Sequence, residues 1–292
     1  MTVTIIGGSA SIDLARKISD RLGSDFVSSS VRTFPDGESK VTLSKAPSDG
    51  KIVVVNSTCP PVDTNLVQTL SIISKAREFS DDVVSVVPYM GYSRQDREFL
   101  PGEISTLSVV AELLKSSGSS EITSIDIHSD AGIRHFKGSI RNLSAIPDLV
   151  AETRKVGLDN PIVVSPDNGG IKRAESFSEI YGTDYTFLNK VRDGITGDVG
   201  ISSNGHIDLE GRDVIIVDDM ISTGGSITKS ADFLKKGGCG RIFVACTHAV
   251  FIGDAQKRIM GSGVEGIIST NTVPNPTSTV DVSKIIAESI SF

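Results

Sequence analysis

The chemistry-bearing residues of this 292-residue chain begin with Val214-Ile215-Ile216-Val217, an apolar run that stops at Asp218-Asp219 and continues as Met220-Ile221-Ser222-Thr223-Gly224-Gly225-Ser226. The β-branched run reads as a buried parallel strand and Ser226 to Lys236 as a helix, which makes Ser222 to Gly225 the turn between them. Successive backbone N–H groups in such a turn, backed by the positive end of a helix, form a cradle for an anion such as phosphate. Gly224 and Gly225 allow close backbone approach, and the Ser and Thr hydroxyls add donors. Ionised Asp218 and Asp219 are acceptor-only, which suits the vicinal hydroxyls of a ribose, reached directly or through Mg²⁺. The plainer alternative is an acid pair that ends a strand and a glycine pair that makes a turn. Neither a G-x-x-x-x-G-K-[ST] P-loop nor a G-x-G-x-x-G dinucleotide fingerprint is present.

Other strand ends carry further candidates. Phe34-Pro35-Asp36-Gly37-Glu38 is a turn that sets an aromatic ring beside two carboxylates, fit to stack a purine and accept from its amine. An ordinary turn with Phe34 in a core explains the same residues. Arg94-Gln95-Asp96-Arg97 follows the strand ending near Pro88, where two guanidinium forks suit a polyphosphate and a solvated charged loop is the rival. His128, in Asp126-Ile127-His128-Ser129-Asp130, and Asp167, in Ser165-Pro166-Asp167-Asn168-Gly169-Gly170, suit a hard cation held mostly by phosphate oxygens. A strand-end histidine hydrogen-bonded for structure alone is the simpler reading of His128. Asn168, Gly169 and Gly170 open a helix and offer a second anion nest, here for a diphosphate. Lys190 and Arg192 follow a strand, project together if the segment is extended, and lead into Asp193 to Gly205, a Gly-, Asp- and Ser-rich loop of the kind that closes over reactants.

The elements that must position these groups alternate between strand and helix nearly throughout, which predicts an α/β fold of mostly parallel sheets covered by helices. Strands are predicted at 3–6, 52–55, 83–87, 122–127, 162–165, 186–189, 214–217, 241–247 and 266–269. Helices are predicted at 12–22, 64–79, 104–115, 170–180, 226–236 and 280–290. The length suits two domains, 1–146 and 147–279, with the terminal helix of 280–292 packing back on the first. Gly7-Gly8-Ser9-Ala10 opens a helix after the first strand much as Gly224-Gly225-Ser226 does later, which hints at duplication.

Composition bounds the class. Apolar residues at 38% and charged residues at 22% are ordinary for a globular protein, and no apolar run reaches the length of a membrane span. A net charge of −7 argues against nucleic acid as a partner, and 5% aromatic residues with no tryptophan argue against a base-stacking platform. Cys59, Cys239 and Cys246 are scattered, with neither a disulfide framework nor a zinc spacing; with no secretory signal at the N-terminus, a reducing cytoplasm is expected.

Taken in order, Phe34 to Glu38, Arg94 to Arg97, His128, Asp167 to Gly170, Lys190 to Arg192 and Asp218 to Ser226 resemble the motif set of the ribose-phosphate diphosphokinase family, within the type I phosphoribosyltransferase superfamily. The resemblance covers nearly the whole chain. It implies two duplicated phosphoribosyltransferase-like domains, each a mostly parallel sheet flanked by helices. It also implies transfer of the β,γ-diphosphoryl group of ATP to the C1 hydroxyl of ribose 5-phosphate, a step in nucleotide biosynthesis that yields phosphoribosyl diphosphate and AMP.

By the same resemblance, Phe34, Asp36, Glu38, Arg94, Gln95 and Asp96 bind ATP, the first motif being often presented to a neighbouring subunit's site. His128 and Asp167 hold Mg²⁺; Asp218, Asp219, Ser222, Thr223, Gly224, Gly225 and Ser226 take ribose 5-phosphate; Asn168, Gly169 and Gly170 take the diphosphate. Lys190 and Arg192 are the catalytic pair, and the chain self-associates into a homodimer or larger homo-oligomer. After His128 the family usually runs through an apolar and Gln-rich segment, whereas this chain reads Ser129-Asp130-Ala131-Gly132-Ile133-Arg134-His135-Phe136. A phosphoribosyltransferase that consumes phosphoribosyl diphosphate would share the Asp218 to Ser226 loop without needing a second α/β domain, and a non-catalytic regulatory subunit would lose catalytic-loop or metal residues.

Overall fold

A computed structural model describes residues 2–192, 199–203 and 209–290, with the backbone alone at 190–192 and 199–203. The chain divides into two compact units, Met1–Ser144 with Asn271–Pro274 and Asp281–Phe292, and Ala145–Thr270 with Asn275–Val280.

The first unit runs β1 (Val3–Gly7), α1 (Ile12–Leu22), β2 (Asp25–Thr33), β3 (Ser39–Leu43), β4 (Lys51–Val55), α2 (Val62–Arg77), β5 (Val83–Val86), α3 (Thr106–Ser116), β6 (Glu121–Ile125), α4 (Asp130–Arg134) and β7 (Ile140–Leu143). Its seven-stranded sheet has the order β3-β2-β1-β4-β5-β6-β7, parallel except for the β2–β3 hairpin. The second unit runs α5 (Ile146–Arg154), β8 (Ile162–Ser165), a 3₁₀ turn at Asn168–Gly170, α6 (Ile171–Tyr181), β9 (Asp184–Arg192), β10 (Val199–Ser203), β11 (Val214–Ile221), α7 (Gly225–Lys236), β12 (Ile242–Ala249), α8 (Ala255–Gly261), β13 (Gly266–Thr270) and β14 (Ser278–Val280). Its sheet has the order β10-β9-β8-β11-β12-β13-β14 and is again antiparallel at one hairpin alone, β9–β10. The closing helix α9 (Ser283–Ile290) packs on α1 of the first unit, where Arg21 Nε donates to Ser283 Oγ at 2.7 Å.

The two sheets have one topology, so the fold is duplicated, and topology corrects how the copies align. β1 corresponds to β8 and β4 to β11, so the Gly7-Gly8 turn matches the Asp167 to Gly170 turn and not Gly224-Gly225. A second correction concerns the segment after β9. The predicted strand 186–189 runs on through Lys190 to Arg192, and the stretch 193–205, expected as loop, contains β10, with Lys190 opposite Ile201 and Arg192 opposite Val199.

The central strands form because they are apolar on both faces: β4, β5 and β8 are buried almost from end to end, as parallel strands covered by helices must be. Helix α1 turns Leu14, Ala15 and Ile18 inward and stops where Gly23 takes the left-handed conformation at φ 58°. The first core gathers Ile6, Ile52, Val54, Ile72, Ile73 and Leu107, the second Ile162, Val164, Ile216, Ile227, Leu234 and Val244.

The amino ends of β8, β11 and β12 are tied by Asp213, a residue only 4% exposed. Its carboxylate accepts from Asp159 N at 2.7 Å, Arg241 N at 2.8 Å and Arg241 Nη2 at 2.6 Å. Burial alone would raise this carboxyl, but those hydrogen bonds and the guanidinium hold it below its ordinary value of 3.8. The stabilisation is present above that value and is lost as pH falls through the lowered one. Arg241→Ala, which strands a buried carboxylate, is expected to cost about 2 kcal/mol in urea unfolding at pH 7, with the cost shrinking in the acid range.

Candidate active site

In an open α/β sheet, ligands collect beyond the carboxyl ends of strands where the order reverses. In the second unit that place lies between β8 and β11, and the sequence puts Asp167 to Gly170 after one and Asp218 to Gly225 near the end of the other. The acid pair sits inside β11, with the Asp218 side chain 21% exposed and that of Asp219 4%. Arg173 on α6 reaches both, with Nη1 3.7 Å from Asp218 Oδ1 and 3.6 Å from Asp219 Oδ1. Burial, then the Asp219 carboxylate, push the Asp218 carboxyl well above 3.8; Arg173 opposes the rise and Asp167 adds to it. Asp167, Asp218, Asp219 and Arg173 are therefore one electrostatic cluster. The Cys246 thiol, opposite Asp218 on β12, is pushed up by burial and by both acids, so it stays protonated and inert.

Sequence reasoning missed Arg173. Its signal is a cation in the first turn of a helix, against the helix dipole, which only neighbouring anions would favour.

The turn after the acids is shaped for an anion. Gly224 has φ 78° and caps α7 without any side-chain hydrogen bond to the helix N-terminus, so a ligand can meet the N–H groups of the first turn. A Cβ on Gly224 would lie 2.9 Å from Ile259 Cδ1, whereas one on Gly225 would meet nothing nearer than Thr223 Oγ1 at 3.9 Å. The turn rests on the segment after β12: Ile252 N donates to Ser222 O at 3.0 Å and Arg258 Nη2 to Thr223 O at 2.7 Å. Ser222 and Ser226 are half-buried and Thr223 is exposed. In the turn after β8, Asp167 Oδ1 accepts from Gly169 N at 3.0 Å, and Asn168 and Gly169 are exposed. A side chain on Gly170 would collide with Ser165 Oγ at 2.4 Å. The catalytic candidates Lys190 and Arg192 have their backbone in β9, and their side chains lie outside the described residues, as do 193–198 and 204–208.

The corresponding crevice of the first unit is plugged. Asn56, fully buried at the end of β4, accepts from Ala10 N at 2.9 Å and donates to Thr69 Oγ1 at 2.9 Å. A Cβ on Gly8 would sit 2.3 Å from Asn56 Cγ. The first unit's candidates lie elsewhere along the sheet. Phe34, Asp36 and Glu38 form the tip of the β2–β3 hairpin, closed by Gly37 N to Phe34 O at 2.9 Å, with Arg32 over the half-buried Phe34 ring at 5.3 Å. Phe34 is therefore not a core residue. Arg94 and Gln95 are exposed on a turn after β5, separated from the hairpin by β1 and β4 in sheet order. Tyr92 begins that turn at φ 63° and donates through Oη to Asp63 of α2. His128 is exposed after β6, two residues beyond Asp126 at φ 40°. Asp96 is only 3% exposed and its carboxylate accepts from Ser129 Oγ.

Comparison with known proteins decides what this arrangement belongs to. Residues 3–118 match the model of the N-terminal domain of ribose phosphate pyrophosphokinase, and residues 203–292 match the phosphoribosyl synthetase-associated domain. The ribose-phosphate pyrophosphokinase of Methanothermobacter thermautotrophicus is 38% identical over 285 residues, covering 97% of this chain and 98% of that one. The chain belongs to the ribose-phosphate pyrophosphokinase family. The pyrophosphokinase of Vibrio parahaemolyticus is 35% identical, covering 98% of this chain and 94% of that one. The crystal structure of phosphoribosylpyrophosphate synthetase from Mycobacterium smegmatis superposes with a TM-score of 0.87 at 26% identity, over 99% of this chain and 98% of that one. Among the described residues no helix is long and apolar enough to cross a membrane.

The family implies a divalent cation, and the donors fit one. No group of three or more His, Cys, Asp or Glu side chains among the described residues forms a protein cage. Mg²⁺ needs only one or two protein ligands beside phosphate oxygens and waters, and the half-buried carboxylate of Asp167 and the exposed imidazole of His128 are donors of that kind.

Two outcomes are expected from the second unit's site. Gly224→Ala, strained at positive φ and pressed on Ile259, should lose about 1–2 kcal/mol in urea unfolding, while Gly225→Ala stays within about 0.5 kcal/mol of the parent. Because the folded Asp218 carboxyl titrates above 3.8, the unfolded chain gives up its proton first and folding is penalised as pH rises past that value. Asp218→Asn should therefore melt higher than the parent at pH 7, with the difference vanishing below pH 3.8 in a series of thermal melts.

Proposed function

We propose that this chain transfers the β,γ-diphosphoryl group of ATP to the C1 hydroxyl of ribose 5-phosphate, giving 5-phosphoribosyl 1-diphosphate and AMP. The observation that carries the proposal is the acid pair, Asp218 half-buried and Asp219 buried, leading into a helix N-terminus without a side-chain cap at the second unit's switch point. Asp218 and Asp219 accept from the ribose hydroxyls, and the turn Ser222 to Ser226 receives the 5-phosphate on backbone N–H groups. Asn168, Gly169 and Gly170 receive the diphosphate. We assign the domain expected at 147–279 to ribose 5-phosphate and catalysis, and the domain expected at 1–146, with the terminal helix, to ATP. There Arg94 and Gln95 hold phosphates and base, and Phe34, Asp36 and Glu38 recognise adenine. The hairpin at the sheet edge suits a neighbouring copy in a homodimer or larger homo-oligomer.

The reaction is an in-line displacement. The C1 oxygen attacks Pβ, the bridging bond from Pβ to the oxygen of Pα breaks, AMP leaves with that oxygen, and the hydroxyl proton passes to water. Phosphoryl transfer asks mainly for positioning and charge neutralisation. Lys190 and Arg192 place positive charge on the transferring group as the bond breaks. His128 and Asp167 would each serve as a ligand for Mg²⁺, whose charge would neutralise phosphate oxygens when bound. We place the reaction in the cytoplasm, in keeping with three free thiols.

The test is to incubate the protein with Mg-ATP and ribose 5-phosphate and follow AMP. AMP that forms only when both substrates are present supports the proposal, and its absence overturns it. Lys190→Ala is expected to lower turnover by about 10³ with little change in either KM; near-normal turnover removes Lys190 from the mechanism.

A further inference from the structure

Asp96 stands beside Arg94 and Gln95 in sequence, yet its carboxylate is turned away from solvent. Ser129 Oγ donates to Asp96 Oδ2 and accepts from Gly132 N at 3.0 Å, so one hydroxyl both caps α4 and grips the arginine turn. His135, at the far end of α4, brings Nε2 to 2.5 Å from the Asp96 carbonyl oxygen and 3.2 Å from Ser105 Oγ. A carbonyl can only accept, so Nε2 carries the proton. Gln95 O accepts from Leu107 N at 3.1 Å and Ser105 Oγ at 3.3 Å, and Gln95 N donates to Tyr92 O at 2.8 Å. The cation near the carboxylate is Arg97, with Nε 3.8 Å from Oδ1 and its side chain 64% exposed.

The turn that carries Arg94 and Gln95 is thus joined, side chain and backbone, to the segment that starts one residue after His128. A carboxylate that buried is not placed to meet a nucleotide. We infer that Asp96 is a positioning residue: through Ser129 it fixes the Arg94–Gln95 turn relative to the His128 turn, so that one buried contact sets two groups that face ATP. This rests on the ATP-binding reading of Arg94, Gln95 and His128, and replaces the sequence-based expectation that Asp96 itself binds ATP. Ser129 and His135 are positioning residues in the same network.

The test compares Asp96→Ala, Asp96→Asn, Ser129→Ala and the double variant Asp96→Ala/Ser129→Ala, reading Mg-ATP affinity by titration calorimetry and both KM values by AMP release. Asp96→Ala and Ser129→Ala should each weaken Mg-ATP by about tenfold, the scale of losing a group that orients a ligand without touching it. The KM for ribose 5-phosphate should stay within about twofold of the parent. The double variant should be no weaker than Asp96→Ala, because both changes break one contact. Asp96→Asn should recover most of the affinity, since an amide oxygen still accepts from Ser129. Additive losses, an Asp96→Asn as weak as Asp96→Ala, or a parallel rise in both KM values would each overturn the inference. If Asp96→Ala fails to fold, Asp96→Asn and Ser129→Ala still decide. A parent that binds Mg-ATP but makes no AMP sinks the catalytic proposal and leaves this inference standing, whereas a parent that binds no Mg-ATP sinks the inference.

Discussion

Like charges held together at the end of β11 are the constraint around which the second unit is built. Adjacent carboxylates inside a buried strand repel, and burial first, then the Asp219 charge, raise the Asp218 carboxyl. Arg173 partly compensates from a helix turn where its own charge opposes the dipole, a position without advantage except for the acids it faces. Rigidity comes from the opposite end of the same strand, where Asp213 is fully engaged by Arg241 and Asp159. Carboxylates at the two ends of β11 are thus pushed in opposite directions, Asp213 down and Asp218 up.

One topology used twice shows how little separates a site from a plug. β4 and β11 occupy the same place in their sheets, and each ends in polar residues facing a glycine-bearing turn. In the first unit an amide fills the crevice and satisfies its own hydrogen bonds with Ala10 and Thr69, so it leaves no demand for a ligand. In the second the residues are acids, Asp218 and Asp219, with Arg173 beside both. The first unit's exposed candidates lie instead at the ends of β5 and β6 and on the β2–β3 hairpin, away from its own switch point.

Much of this was legible in sequence because parallel central strands announce themselves as apolar runs. Val3 to Ile6, Ile52 to Val55, Ile162 to Ser165 and Val214 to Val217 were readable on that ground, and helix α1 from the spacing of Leu14, Ala15 and Ile18 before Gly23. The edge strands were not. β2 reads Asp25-Phe26-Val27-Ser28-Ser29-Ser30-Val31-Arg32-Thr33, too polar for a run, and Ser29 is buried there only because its hydroxyl donates to Gly7 O at 2.8 Å. β10 and β14 are short edge strands whose pairing partners, rather than their composition, define them. Motif positions were legible one at a time, but their partners were not: Arg173, Asp63 and Ser129 take their meaning from tertiary contacts that local spacing does not encode.

Backbone strain explains why the first unit needs so many of those contacts. Tyr92 and Asp126, at φ 63° and 40°, each sit two residues before a candidate ligand, Arg94 and His128, and such a conformation costs about 1 kcal/mol or more for a residue with a side chain. Strain of that kind persists only where surrounding structure over-determines it. Around Tyr92 the contacts are its hydroxyl on Asp63, Gly91 N on Thr58 Oγ1 at 2.7 Å and Gln95 N on its own carbonyl. After Asp126 they are Ile127 N on Asn142 Oδ1 at 3.0 Å and the Ser129 cap of α4. Each turn is thus held from behind, and its candidate side chain, Arg94 or His128, is left exposed. Two such turns would still be independent of each other, free to drift by the small amounts that matter to a triphosphate, unless something buried connected them. Asp96 and Ser129 are the side chains in that position.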